Sequence, residues 1–166
     1  MRLVDPIMQE FDQEAPTTRR VLERVPLDKK DWKPHPRSMS LGRLASWMAN
    51  APGWTAGVLY QDGLDVGNWE SFPIPESTAA LLSIFDDGCN AARAALGKMD
   101  DKAATAGWSF RMGAKTLNTF PRIAFARLFL LSDAIHHRGQ MSVFLRLLDV
   151  PVPAIYGPSA DDNPYF

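Results

Sequence analysis

The chain has 166 residues, 46% of them hydrophobic and 22% charged, with a formal net charge of -1. That composition excludes a disordered chain and describes about one domain with a core of useful size. With no basic excess or basic stripe there is no electrostatic footprint for nucleic acid, and a lone cysteine, Cys89, forms no internal disulfide. The opening residues Met1–Pro6 lack the charged start and apolar run of a signal peptide. The longest apolar stretch, Ile123 to Leu131, contains Arg127 and falls far short of the ~20 residues of a membrane helix. The expectation is a cytoplasmic protein with no membrane and no nucleic-acid partner.

The first predicted helix starts at Asp5, an N-cap residue type, with Pro6 in the first helical position where its missing N–H costs nothing. Ile7, Phe11, Ala15, Thr18, Leu22 and Val25 follow at helical spacing, which runs through Pro16 and predicts one kinked helix ended by Pro26. Asp31 to Arg37 reads as a loop, because Pro34 and Pro36 flank His35. Ser38 or Ser40 caps a second helix, with Leu41, Leu44, Ala45, Met48 and Ala51 on one face and a stop at Pro52-Gly53. Trp54 to Pro75 has no sustained period and is expected to be irregular, with at most a short helical turn.

A third helix begins near Ser77, carries Ala80, Leu81, Ile84, Phe85, Ala91, Ala92 and Leu96, and stops at Gly97. Asp86-Asp87 reads as a solvated face, and Cys89 as a buried thiol in mid-helix. Trp108 to Met112 alternates apolar and polar, which suggests a short extended segment or hairpin. The fourth helix is the clearest. Thr119 is placed as its cap, Pro121 in its first turn, and Leu130, Asp133, His137, Met141, Phe144 and Leu148 form one stripe. The last sixteen residues are rich in proline and make an ordered loop or a tail. Four amphipathic helices and no strand–helix alternation predict an all-α fold: a four-helix bundle over 1–166, a single domain, with a short extended excursion before the last helix.

The chemistry concentrates in the last helix. Asp133 and His137 are four residues apart, so both lie on one face. A carboxylate and an imidazole one turn apart can chelate a divalent metal, or act as an orienting acid with a base. They can equally be bonded to each other, or to an arginine such as Arg43 or Arg138, inside the bundle. Because the stripe is the buried one, Asp133 must have a partner. His136 points about a third of a turn away, toward a helix edge or subunit contact. No phosphate-cradling glycine loop, nucleophile elbow or CxxC pair is present.

Taken together, these blocks resemble the DinB-like (damage-inducible B-like) metalloenzyme superfamily. Leu131 to Asp161, LSDAIHHRGQMSVFLRLLDVPVPAIYGPSAD, carries the most specific match, in the HHRGQ run. SMSLGRLASWMANAPGW from Ser38 to Trp54 is similar to that family's second helix. TTRRVLERVP and DWKPHPRS fit as well. The resemblance implies a helical bundle, often a homodimer, with nickel or zinc on three histidines: one from the second helix and two, four residues apart, from the last. Some relatives transfer or isomerise substrates with low-molecular-weight thiols. Carried over by position, the three ligands fall on Trp47, Asp133 and His137. Only His137 remains a histidine, and tryptophan offers a metal no lone pair. The resemblance therefore implies a degenerate metal site, with His137 and Asp133 as the only ligands a weakly held divalent metal would find and no cofactor bound tightly. The alternative is a diverged metal- or thiol-dependent transferase or isomerase acting on a small molecule between helices two and four. Five tryptophans and nine phenylalanines in one small domain also suggest an apolar surface for a homodimer.

Overall fold

A computed structural model describes residues 1–165, and Asn68 by its backbone only. The first helix, α1 (Asp5–Leu22), passes through Pro16 unbroken. Asp5 is its first residue rather than its cap; the carboxylate turns back to accept from the backbone N–H of Arg2 at 2.7 Å. Ser40 caps α2 (Leu41–Val58) by accepting from the Arg43 N–H. The expected stop at Pro52-Gly53 does not occur, because Pro52 lies inside this helix. Ser77 caps α3 (Thr78–Gly97) as the sequence predicts, accepting from Ala80 N–H.

The all-α four-helix expectation is wrong. A three-stranded mixed sheet and a further short helix, α4 (Asp101–Thr105), complete the fold. Strand β1 (Gly63–Asp65) pairs in parallel with β2 (Gly107–Met112), which pairs antiparallel with β3 (Lys115–Pro121). The hairpin foreshadowed by the alternation around Trp108 is real, but it is longer than the sequence pattern implies. Thr119, expected to cap the last helix, lies in β3, and its hydroxyl meets that of Ser109 across the ladder at 2.7 Å. Thr116, Thr119 and Phe120 are strand-favouring types. Gly113, at φ +56°, supplies the left-handed residue of the two-residue turn. Gly63 is required by close approach, since a Cβ there would lie 2.1 Å from the Ser109 carbonyl oxygen.

The sheet exists because it has something to bury. Trp108 is fully buried, its indole N–H donates to the Val58 carbonyl at the end of α2, and its ring stacks on Phe125 at 3.9 Å. Phe125 belongs to α5 (Arg122–Arg127), which opens a continuous helical run. That run continues through a π-helical segment, Leu128–Ser132, into α6 (Asp133–Leu147). The run counts as one helix in space, so five α-helices stand beside the sheet among the described residues.

The long helices pack α1 on α3, α3 on α2, α2 on α6 and α6 on α1, enclosing Leu22, Leu44, Leu81, Leu131 and Met141. At the α2–α3 contact the backbones nearly touch: a Cβ on Gly88 would lie 2.8 Å from the Gly53 nitrogen. Most of the aromatic surplus is spent inside, and Trp69 is the one exposed tryptophan or phenylalanine among the described residues. No helix of the described residues is long and apolar enough to cross a membrane.

The tail is ordered by its own polar groups. Asp161 accepts from Val152 N–H, Asp162 from Ala154 N–H, and Tyr156 donates to Glu14 on α1. Asp86 is not simply solvated: Arg19 of α1 pairs with it at 2.9 Å. Cys89 is buried, and burial pushes its thiol up to about 12, too high for a nucleophile at neutral pH.

Candidate functional site

Trp47, Asp133 and His137 come together. Ser40 sets the start of α2, and small residues Ala45 and Ala49 bury the inner face, so Trp47 at half-burial looks across to the last helix. There the π-helical segment ends with the Asp133 N–H bonded five residues back to the Leu128 carbonyl. Single-turn π segments of this kind recur at functional sites, where they rotate the downstream helix face. Asp133, first residue of α6, accepts from the Trp47 indole N–H at 2.7 Å on one carboxylate oxygen. Its other oxygen meets His137 Nε2 at 3.3 Å. His137 Nδ1 meets Gln140 Oε1 at 2.7 Å. Asp133 and His137 are mostly buried, with side chains 19% and 13% exposed.

Burial works against a charge on His137, but the hydrogen bonds to Asp133 and Gln140 and the charge of Asp133 outweigh it, so its pKa is raised above the usual histidine value. The geometry agrees. An imidazolium donates from Nε2 to the carboxylate and from Nδ1 to the amide oxygen at once. A neutral ring satisfies both contacts only if Gln140 turns its NH2 toward Nδ1.

The donor set does not fit the nickel or zinc that a three-histidine site would hold. Catalytic zinc takes three protein ligands and an open position. Here one of the three positions is an indole, one Asp133 oxygen is hydrogen-bonded to that indole while the other faces His137 Nε2 at 3.3 Å, and Nδ1 of His137 is engaged by Gln140. Among the described residues, no group of three or more His, Cys, Asp or Glu side chains is disposed to hold a metal ion.

Trp47 and His137 of the triad line a cleft of about 390 Å³, together with Met39, Arg43, Ser46, Trp69, Ser71 and Phe72. A second cleft of about 150 Å³ adjoins it, with wholly apolar walls of Trp54, Leu64, Val66, Phe110 and Phe129. Trp47 and Trp69 are walls of both. Trp69 packs edge-on against Trp47, Trp54 and Phe72 at centroid distances of 5.8, 5.4 and 5.4 Å.

The other candidates lie elsewhere. His35 is an exposed loop residue whose ring accepts from the Arg37 N–H. His136 is exposed beside His137. Arg138, a possible partner for Asp133, instead pairs with Glu14 on the far side of α6. Arg43, the other possible partner, stands exposed on the cleft wall and makes no ion pair among the described residues. Gln140, Trp69 and Phe72 join the site without having been singled out from the sequence. The i,i+3 spacing of Gln140 to His137 is a signal that could have found it. The two aromatics sit in the segment with no period and carry no such signal.

No family model matches the chain, and no curated protein matches it in sequence. Its fold does match solved structures. A DinB-like protein from Bacillus cereus superposes with a TM-score of 0.66 at 22% identity, over 89% of this chain and 94% of that one. A DinB-like protein from Bacillus subtilis gives a TM-score of 0.66 at 18% identity, over 87% of this chain and 93% of that one. The chain thus has the fold of DinB-like proteins over nearly its whole length.

Proposed function

We propose that this chain is a DinB-like protein in which the metal centre has become a hydrogen-bonded triad, Trp47–Asp133–His137, and that it lacks the metal-dependent activity of three-histidine relatives. One observation carries the reading: the indole N–H of Trp47 holds, at 2.7 Å, an Asp133 oxygen that a metal would need. The indole ring also fills the space between α2 and α6, packed within 6.5 Å of Trp54, Trp69, Phe72, Phe129 and His137. What remains is a binding cleft whose wall is fixed by the triad. The cleft lies in the volume range of small-molecule sites, roughly 300–1,000 Å³.

The test is the metal content of protein purified without chelators or an affinity tag. Nickel and zinc well below one equivalent are expected; stoichiometric, chelator-resistant metal overturns the proposal. The double variant Trp47→His/Asp133→His supplies three histidines and should raise zinc or nickel affinity by more than about 100-fold, since even changes outside the ligand set cost roughly 10- to 100-fold.

A second reading is a diverged transferase or isomerase acting on a small molecule in the cleft. It draws on His137, which the cleft reaches and Asp133 orients as a carboxylate orients a base. It needs Gln140 to release Nδ1, because otherwise neither ring nitrogen is free to take a proton.

A further inference from the structure

The wall of the larger cleft has an uneven chemistry. Its polar end carries Arg43, whose guanidinium has no carboxylate partner among the described residues. No aspartate or glutamate lines the cleft. The acid behind the wall, Asp133, is engaged by Trp47 and His137 and makes no ion pair with Arg43. An exposed arginine at the wall of an aromatic cleft, with no internal counter-charge, is a fork-shaped donor set suited to a planar anion. The aromatic wall is apolar: Phe72 lies beside Trp47 and Trp69, and these two tryptophans lead into the smaller cleft, which is walled by aromatic and aliphatic side chains alone.

We propose that the two clefts together form one binding site for a small monoanion with an apolar body, a carboxylate or a similar head on Arg43 and a chain or ring against Trp47 and Trp69. This rests on the reading of Trp47 as a wall rather than a displaced ligand position. Charge selects the ligand's orientation: the one unpaired charge on the described wall is positive and stands at one end, so the anionic head goes there and the body runs toward the smaller cleft. A dianion gains little, since no second unpaired cation lines the described wall. A cation meets Arg43 as a like charge. Trp69 divides the two spaces and is the exposed member of the aromatic group, so its side chain is the one that must move when a longer body extends from the first cleft into the second.

Octanoate, octan-1-ol and octylammonium share one tail and differ in head charge. Tryptophan emission reports binding directly, because Trp47, Trp54 and Trp69 line the site. Octanoate is expected to bind about five-fold more tightly than octanol, a gain in the range of a partly solvated charge-assisted pair. Octylammonium should bind more weakly than octanol. Arg43→Gln, a change at an exposed side chain, should erase the difference between octanoate and octanol while leaving octanol binding in place. Trp69→Ala should weaken all three alike. Equal affinity for octanoate and octanol, a preference that survives Arg43→Gln, or no binding of any of the three overturns the proposal. Metal content is measured on the same preparation without ligand, so failure of the triad reading and failure of the anion site are seen separately.

Discussion

His137 and Arg138 are neighbours on α6 that enter opposite surroundings. Arg138 is 1% exposed and is held from two segments at once, α1 and the tail. It donates to the Glu14 carbonyl and the Thr18 hydroxyl at 3.2 Å each, and to the Glu14 carboxylate and Tyr156 hydroxyl at 2.5 and 2.6 Å. Tyr156 closes the ring by donating to Glu14 at 2.9 Å. This network joins α1, α6 and the tail and is spent entirely on holding them together. His137 is also paired, but its carboxylate partner is shared with an indole and its ring lines open space. Both arrangements satisfy a buried carboxylate. Only one leaves something for a ligand to touch, and the difference separates a fastener from a site.

The largest effect should come from breaking the fastener. Arg138→Met leaves the Glu14 carboxylate buried without its cation, which typically costs about 3–5 kcal/mol. For a domain of this size that lowers the melting temperature by roughly 10 °C, and Tyr156 and the tail should become open to limited proteolysis. If the loss is no greater than for a change in the triad, the contrast between the two regions fails.

Trp47→Phe sharpens the comparison from the other side. It keeps a ring in the aromatic group but removes the one N–H that Asp133 accepts from α2. Since the bond is only partly buried and the Asp133 side chain keeps 19% exposure, the loss should stay near ~1 kcal/mol, or about 3 °C in thermal unfolding.

The smallest effect is in the pH profile. Because folded His137 holds its proton more tightly than the unfolded chain does, its contribution to stability is complete below the unfolded value of about 6.5. It fades as pH rises through the higher folded value. Urea unfolding across that window should show stability falling with pH, and His137→Gln should flatten the slope. A slope of the opposite sign would mean that the ring is neutral in the folded protein.

Some of these features are legible in the residues alone. Asp133 and His137 are paired by their four-residue spacing, and Ser40 and Ser77 announce two helix starts through their hydroxyls. Trp47 enters only through a resemblance between blocks of sequence, since nothing in its local pattern marks it as a hydrogen-bond donor to a residue 86 positions away. Pro52 misleads because a helix-breaking residue is judged locally. In the fold, α2 runs on through Pro52 to Val58 and packs its backbone at Gly53 closely against Gly88 of α3, a contact no local pattern reveals. The sheet is half legible: Trp108 to Met112 alternates, but β3 is exposed along most of its length and so shows little periodicity, and Thr119-Phe120-Pro121 imitates a helix start.

The π-helical segment before Asp133 also sets how the site depends on chain length. A five-residue closure is what an α-helix becomes when it absorbs one residue more than its winding needs. Each residue turns an α-helix by about 100°, so the surplus sets the phase between two commitments of a single rod. Upstream, Phe125 must lie against Trp108; downstream, Asp133 must face Trp47. With the count reduced by one, the rod could honour only one of them. The meeting of indole and carboxylate thus depends on arithmetic as well as on chemistry, and a one-codon change in length between Leu128 and Ser132 would touch it without altering any residue in the triad.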